Sequence, residues 1–233
     1  MIWLQISSIG LAILGPVALW AAHRRRPHPH LERAFARGIA FLLLALFVAG
    51  LVQKYLDAEF DAVHALPMQL CDWTLLVVVA ALLWRSQTCF ELSYFWGLCG
   101  TFQALVTPAI AADTELLRKL VFFLDHAGIV AGVLFLLLVP GLRPRSMWRV
   151  LIFSEIYLAT ALAVNALTGA NYGFLAHPPE QASMLDLFSK THWLYVLEIN
   201  LVALLFFTIA YAPWWIADRL RRKAVESQQS AWS

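Results

Sequence analysis

The chain has 233 residues, of which 61% are hydrophobic and only 14% are charged, and its net charge is +2. Soluble domains carry roughly 25% charged residues, so this composition excludes a soluble globular protein as well as a disordered or collagen-like chain. Three cysteines also exclude a disulfide-stapled secreted domain, and we predict an integral membrane protein.

Seven apolar stretches are each long enough to cross a bilayer core, which takes about 20 helical residues. In chain order they are predicted at Trp3–Ala22, Gly38–Leu56, Pro67–Trp84, Tyr94–Ala112, Leu116–Gly141, Met147–Leu167 and Trp193–Ile216. Their polarity does not alternate as it does in the strands of a membrane β-barrel. The predicted fold is therefore an all-α bundle of about seven transmembrane helices, forming one domain over residues 1–217 before a basic and polar tail at 218–233.

The basic residues are distributed unequally between the two sides of this topology. Of the 17 Lys and Arg residues, 13 lie in the first, third and fifth connections and after the last helix. The other side has only Lys54, Arg118, Lys119 and Lys190. Because cytoplasmic loops are enriched in Lys and Arg, we predict an outside N-terminus and a cytoplasmic C-terminus. The basic residues lie between apolar runs, so no nucleic-acid partner is expected.

Polar side chains from five predicted helices reach the outer half of the membrane, judged from a rise of about 1.5 Å per residue. They are Cys71, Asp72, Gln103, Asp125, His126, Asn165, Glu198 and Asn200. A single Asn or Gln in a span often only joins helices by hydrogen bonds. Ionisable groups are costly there and mark functional sites or wet cavities. Three carboxylates and a histidine in one layer therefore favour a functional site.

Cys71 and His126 are the candidate catalytic pair. A lone buried cysteine usually behaves as a small hydrophobic residue, but a neighbouring histidine can convert it into a nucleophile. A carboxylate commonly orients such an imidazole. Successive helical residues point about 100° apart, so Asp125 is not expected to orient His126 directly. Asp72 or Glu198 is the expected partner, and the sequence leaves that choice open.

Other patterns in the sequence predict structure rather than chemistry. No HExxH, CxxC, P-loop or dinucleotide-binding motif is present, so neither a metal nor a cofactor is predicted. Four glycines are predicted to allow close helix packing: Gly38, Gly50, Gly97 and Gly100. Glu155 is the one carboxylate that the predicted spans place towards the cytoplasmic side.

Four motifs, in this order, resemble the YwaF-like integral membrane proteins over about residues 35–215. They are Leu66-Pro67-Met68-Gln69-Leu70-Cys71; Tyr94-Phe95-Trp96-Gly97 with Gln103-Ala104 and Thr107-Pro108; Phe122-Phe123-Leu124-Asp125-His126; and Asn171-Tyr172-Gly173-Phe174-Leu175. This family is similar to eukaryotic transmembrane protein 164, a cysteine-dependent acyltransferase acting on ether phospholipids. It is more distantly similar to the androgen-induced membrane lipid hydrolases.

The resemblance implies that Cys71 is a nucleophile and His126 its partner, in a bacterial cytoplasmic membrane protein. One departure is Gln69, at a position where the family frequently has a histidine. We therefore hypothesise a phospholipid acyltransferase or acyl hydrolase that forms a thioester with a membrane phospholipid, then transfers the acyl group to a lysophospholipid or water. Gln103, Asn165 or Asn171 is expected to donate to the oxyanion. The residues expected to contact the substrate are Asn171, Tyr172 and Tyr195.

The alternative hypothesis is a proton-coupled carrier or channel. Its relay groups would be Asp72, Asp125, His126 and Glu198, since no Lys or Arg lies deep in any predicted span to neutralise them. The absence of an inverted repeat disfavours a transporter. A seven-helix retinal protein is excluded, because no lysine occurs in the last predicted span to form a Schiff base.

Overall fold

The computed structural model describes residues 1–111 and 113–230, and in these residues it contains helices and no strand. The seven helices are α1 (Ile2–Arg25), α2 (Pro29–Leu56), α3 (Leu70–Trp84), α4 (residues 87–106), α5 (Leu116–Leu138), α6 (Met147–Thr168) and α7 (His192–Ser230). Two short 3₁₀ turns, Tyr172–Phe174 and Met184–Leu187, lie between α6 and α7. The predicted all-helical fold is confirmed. Residue 112 of the predicted fourth span and residues 231–233 of the predicted tail lie outside the described residues.

Five helices are long and apolar enough to cross a membrane: α1, α2, α5, α6, and α7 as far as Lys223. α3 is apolar but shorter, with 15 residues. Large apolar side chains on the outer faces of the helices, such as Leu14, Phe41 and Leu205, are exposed. Water-soluble proteins rarely expose continuous apolar surface of this extent, whereas a bilayer covers it. The chain is an integral membrane protein.

The connections differ in length between the two ends of the bundle. At one end lie short connections at residues 26–28, 85–86 and 139–146, which with the adjoining helix ends carry most of the arginines, and we call it the arginine end. At the other end lie longer connections at residues 57–69, 107–115 and 169–191, and we call it the long-loop end. The N-terminal ends of α1, α3, α5 and α7 all lie at the long-loop end.

α4 differs from the predicted fourth span, Tyr94–Ala112, which was placed seven residues too late at its start. The helix begins at Gln87, after Ser86 caps it by accepting a hydrogen bond from the Cys89 N–H. Its middle, Trp96–Thr101, is a π-helical segment between the α-helical segments Gln87–Phe95 and Phe102–Val106. The helix ends just before Pro108, which has no N–H to continue it. The first turns of α4 contain polar residues, so the apolar run in the sequence begins later than the helix.

α5 is the central helix and packs against α1, α2, α3 and α4. Glycines on its surface allow two of these approaches. A Cβ atom at Gly132 would lie 2.7 Å from Val78 Cγ1 on α3, and one at Gly128 would lie 2.9 Å from Leu43 Cδ2 on α2. Both distances are shorter than van der Waals contact, so α2 and α3 approach the α5 backbone more closely than any larger residue permits.

The four glycines predicted to support close packing divide into two pairs. A Cβ atom at Gly97 would lie 3.0 Å from Val133 Cγ2 of α5, and one at Gly100 would lie 2.9 Å from a Leu70 methyl group of α3. The prediction is therefore confirmed for these two positions on α4. It is wrong for Gly38 and Gly50, because a Cβ atom there meets nothing within 4 Å.

Glu91 on α4 fixes the arginine end, although its side chain is completely buried. Its Oε1 accepts hydrogen bonds from the backbone N–H groups of Arg145 at 2.9 Å and Ser146 at 3.2 Å. Arg149 Nη2 of α6 lies 3.1 Å from its Oε2. One carboxylate therefore joins α4, α6 and the connection before α6. Glu155, the carboxylate singled out in the sequence, is exposed.

Substituting Gly132→Ala is expected to destabilise the bundle, because valine has one strongly preferred side-chain conformation in a helix and Val78 cannot withdraw. We expect the free energy of unfolding to fall by about 1–3 kcal/mol, as in other overpacked cores. Thermal unfolding of the purified protein in detergent measures this. Gly38→Ala is the matched control, and equal melting temperatures for the two variants would contradict the close α3–α5 contact.

Candidate functional site

The segment before α3 fixes the position of Cys71 in the first turn of that helix. The Gln69 N–H donates to Asp72 Oδ2 at 3.0 Å, closing the helix N-terminus. Trp73 Nε1 donates to the Pro67 carbonyl at 3.2 Å. The Cys71 side chain is half-buried, and all three cysteines of the chain are free thiols. Cys71 is therefore held at the long-loop end.

The loop at residues 171–175 lies over the beginning of α3 and is held from α6. Asn165 Nδ2 donates to the Tyr172 carbonyl at 3.0 Å, and Asn165 Oδ1 accepts from the Tyr172 N–H at 2.8 Å. The Tyr172 hydroxyl accepts from the Leu66 N–H at 3.1 Å and donates to the Ala62 carbonyl at 3.0 Å. Burial raises the pKa of this hydroxyl, so it remains a donor at neutral pH.

Three further side chains complete this arrangement. Gln69 Oε1 accepts from the Gly173 N–H at 2.9 Å, and the Tyr195 hydroxyl of α7 donates to the Phe174 carbonyl at 2.7 Å. The Tyr157 hydroxyl of α6 donates to the Met68 carbonyl at 3.1 Å. Gly173 has φ +66°, and a Cβ atom there would lie 2.6 Å from the Tyr157 oxygen, so only glycine fits. We call the five side chains the loop clasp: Gln69, Tyr157, Asn165, Tyr172 and Tyr195.

The first turn of α3 faces α5 at the level of Asp125. A cavity of about 80 Å³ opens beside the carboxyl groups of Asp72 and Asp125, with Lys54 in its wall. The rest of its lining is apolar and comes mainly from α2: Leu46, Phe47, Gly50, Leu51, Ala65, Pro67 and Val121. Asp125 Oδ1 is buried and has no hydrogen-bond partner among the described residues.

His126 is buried on α5, one residue after Asp125. Its Nδ1 lies 2.8 Å from the Phe122 carbonyl, which can only accept, so we assign the proton to Nδ1 and leave Nε2 as the acceptor. The nearest carboxylate oxygen is Asp125 Oδ2, 3.7 Å from Nδ1. As expected, Asp125 does not orient the ring directly, because Nδ1 bonds to the Phe122 carbonyl and, in the described part of the chain, no hydrogen bond joins it to Asp125. No hydrogen bond joins His126 to Cys71 among the described residues.

The remaining predicted residues lie outside this α3–α5 group. Asn165, Tyr172 and Tyr195 belong to the loop clasp, and Asn171 bonds within its own loop, to Ala176 N–H and the His177 carbonyl. Glu198 Oε2 accepts from the Ser189 N–H at 2.6 Å. Neither Glu198 nor Asp72 forms an ion pair or a hydrogen bond with His126 among the described residues, contrary to both expected pairings. Asn200 bonds back to its own helix. The half-buried Gln103 side chain forms no hydrogen bond with another described residue.

Three site features were missed in the sequence. Lys54 lies in the last turn of α2, as an isolated charge after an apolar run. This pattern could have predicted a basic group beside a carboxylate at the helix end. Tyr157 gave no signal, because its role depends on the loop that it contacts. Thr101 lies in the π-helical segment, where its buried hydroxyl has no partner among the described residues. No group of three or more potential metal ligands occurs in the described part of the chain.

Opening the loop clasp is expected to expose Cys71. Asn165→Leu keeps the side-chain volume but removes both bonds to Tyr172, so we expect faster maleimide labelling of Cys71 in a background with Cys89→Ser and Cys99→Ser. The unpaired Tyr172 backbone groups should also lower the free energy of unfolding by about 1–3 kcal/mol. Asn200→Leu, which removes one bond within α7, is the control. An unchanged labelling rate for Asn165→Leu would show that the loop does not cover Cys71.

Comparison with known proteins gives one family. A model of the TMEM164 family matches residues 1–211 of this chain, which include α1 to α6, about half of α7 and every residue of the site described above. Neither a curated protein nor a solved structure matches the chain. The family match and the geometry of α3 and α5 are therefore the two observations on which a functional assignment can be built.

Proposed function

The chain belongs to the TMEM164 family, and from this premise we propose that it is a membrane-embedded phospholipid acyltransferase or acyl hydrolase. The observation that carries the proposal is the pairing of α3 with α5 beside a cavity with apolar walls and two carboxyl groups. Asp72 and Asp125 line that cavity, and their sequence neighbours are Cys71 and His126. A cavity of about 80 Å³ holds only the ester end of an acyl chain, whose remainder would extend into the lipid, and ester chemistry requires a nucleophile and a base next to it.

The proposed reaction has two steps. The thiolate of Cys71 attacks the carbonyl carbon of a phospholipid acyl ester, forming the C–S bond while the C–O bond to the lysolipid breaks. His126 takes the thiol proton and returns it to the leaving alkoxide. In the second step, His126 removes a proton from a lysophospholipid hydroxyl or from water. The new oxygen nucleophile displaces the thiol, which regains a proton.

His126 has the features of such a base. Its Nδ1 hydrogen bond to the Phe122 carbonyl fixes the tautomer, so Nε2 is the nitrogen that accepts a proton. The Asp125 carboxyl, 3.7 Å from Nδ1, lies where it would stabilise an imidazolium. We propose that substrate binding brings the thiol to Nε2, because catalytic hydrogen bonds are often looser in the free enzyme.

The other predicted residues are assigned by their hydrogen bonds. The amides of Asn165 and Asn171 are engaged in loop bonds, whereas the Gln103 amide has no bond to another described residue, so we propose Gln103 as the oxyanion donor. Tyr172 and Tyr195 hold the loop that covers the site and would contact a lipid headgroup through it. Gln69 supplies the acceptor for Gly173 in place of a titratable histidine.

Cys71→Ser is expected to abolish acyl turnover and thioester formation, because a serine hydroxyl is a much weaker nucleophile without a stronger base. His126→Gln should slow turnover by about 10²–10⁴-fold, the usual contribution of a general base. Purified protein in phospholipid vesicles is assayed for released lysolipid, and the trapped thioester is measured by intact mass. The control is the double variant Cys89→Ser with Cys99→Ser. Unchanged turnover in Cys71→Ser would remove this thiol from the mechanism.

A proton-coupled carrier is the second candidate function, and one observation favours it. Asp125 has a buried carboxyl oxygen without a partner, opposite Asp72 in the same cavity, as a proton-relay group would. The bundle below the cavity is filled by apolar side chains such as Leu75, Val78 and Ile129, which favours a site open to one end. Proton flux into liposomes that is lost in Asp125→Asn but retained in Cys71→Ser would support the carrier over the enzyme.

We also propose that the long-loop end faces outward, as the distribution of arginine predicts. In a cysteine-free background, an impermeant maleimide added to intact cells should label Ala182→Cys, which lies in the exposed 169–191 connection. The same reagent should label His28→Cys, at the arginine end, only after lysis. The opposite pattern would place the site at the cytoplasmic surface.

A further inference from the structure

A second, larger cavity lies at the arginine end, far along α3 from Cys71. The last turn of α3 lies beside the first turns of α2, and the space between them has a volume of about 460 Å³. This volume is within the range of about 300–1,000 Å³ that small-molecule sites occupy. The cavity therefore has the size of a binding site, and none of its residues belongs to the α3–α5 site.

Three arginines surround this cavity. Arg33 and Arg37 are four residues apart on one face of α2, and Arg85 follows the last residue of α3. None of the three forms an ion pair with an acidic group among the described residues. Two arginines elsewhere at this end have acidic partners, since Arg143 pairs with Asp218 and Arg149 with Glu91. Other arginines of this end, such as Arg24 and Arg145, also form no ion pair among the described residues, but Arg33, Arg37 and Arg85 share one cavity.

The one acidic residue in the cavity wall, Glu32, forms no ion pair with the three arginines in the described range 1–111, and three guanidinium groups outnumber its single carboxylate. Glu32 is largely buried, and its Oε1 lies 2.6 Å from His23 Nδ1 of α1. Arg33 donates one hydrogen bond, from Nε to the Pro29 carbonyl of its own helix, which leaves both terminal nitrogens of the guanidinium available. An anion entering the cavity would therefore meet unengaged donors.

Arg85 is one of three non-glycine residues with positive φ among the described residues, together with Ala58 and Phe174, and it lies at the cavity. This residue ends α3 in the left-handed conformation, with φ 52° and ψ 31°. Glycine or asparagine is the usual residue at such a helix end, and other residues pay roughly 1 kcal/mol for this conformation. The position instead carries a long cationic side chain at the rim of the cavity. Backbone strain of this kind is common where a side chain contacts a ligand.

The surroundings of the cavity define the kind of anion. Trp84, 73% exposed, and the half-buried Leu83 line it next to the arginines. An exposed tryptophan at a helix end is typical of the membrane interface, where lipid phosphates lie. Guanidinium groups bind phosphate oxygens in pairs, and basic pockets between membrane helices bind anionic headgroups. A ligand that binds both the arginines and these apolar side chains has a phosphate and acyl chains.

We propose that this cavity binds the phosphate headgroup of an anionic membrane phospholipid, through Arg33, Arg37 and Arg85. The lipid is a bound ligand of the arginine end and not the substrate of the α3–α5 site, so this proposal stands independently of the acyl-transfer reaction. Its phosphate lies between α2 and α3, and its acyl chains lie along Leu83 and Trp84.

The test compares lipids retained by the full-length chain. Protein is reconstituted in nanodiscs containing equal phosphatidylcholine and phosphatidylglycerol, extracted with mild detergent, and its bound lipids are measured by native mass spectrometry. The double variant Arg37→Gln with Arg85→Gln is expected to lose phosphatidylglycerol enrichment by about tenfold or more, since each basic residue near the surface contributes to anionic lipid binding. The control, Arg221→Gln with Arg222→Gln, removes the same charge from the same end outside the cavity and should bind like the wild type.

Two further measurements test whether the ligand is a lipid or a soluble phosphate, and whether a loss of enrichment reflects lost charge or lost bidentate binding. Arg37→Lys with Arg85→Lys should keep part of the enrichment, because lysine keeps the charge but loses bidentate binding. Inorganic phosphate at millimolar concentration should not displace the lipid; displacement would mean that the cavity binds a soluble phosphate and would overturn the proposal. Equal enrichment in the glutamine variant and the wild type, or equal loss in the control, would also overturn it.

Discussion

The two hydrogen bonds between the Asn165 side chain and the backbone of Tyr172 are the contact on which the long-loop end depends. A loop at a membrane surface has polar backbone groups that lipid cannot satisfy, so side chains must satisfy them. Asn165 supplies one donor and one acceptor from the last turn of α6. With Tyr172 fixed, its hydroxyl reaches the 57–69 loop, and Gly173 reaches Gln69. The beginning of α3, and Cys71 with it, follows from this chain of contacts.

α5 joins the long-loop end to the core of the bundle. Its glycines admit α2 and α3, and its first half carries Asp125 and His126 to the level of Cys71. The imidazole is oriented by a carbonyl of its own helix and not by a distant carboxylate. The tautomer of His126 is therefore set by local helix geometry, while the cavity beside Asp125 depends on how closely α2 and α3 pack. This separates the orientation of the His126 ring from the shape of the cavity.

The helical bundle could be predicted from the sequence, because a long apolar run without alternating polarity crosses a membrane only as a helix. The sequence was also sufficient to bring Cys71, Asp72, Asp125 and His126 to one end, since depth follows from helix direction and rise. It failed at α4, where polar residues such as Glu91 are buried within a membrane protein by bonds to another helix. The loop clasp was equally unreadable. Asn165, Tyr172 and Tyr195 looked like groups for a substrate, and only the folded loop shows that backbone atoms take their hydrogen bonds first.

The shortness of α3 has a consequence for the lipids next to it. Its 15 residues extend about 22 Å, whereas the hydrocarbon layer of a typical bilayer is about 30 Å thick. Such hydrophobic mismatch is relieved when the bilayer thins locally or when water and headgroups sink towards the helix ends. Beside α3, the ester groups of the adjacent leaflet are therefore drawn down towards the depth of a first-turn thiol, and phosphates of the other leaflet are drawn towards Arg85. One short helix thus deforms both leaflets, one beside Cys71 and the other beside Arg85.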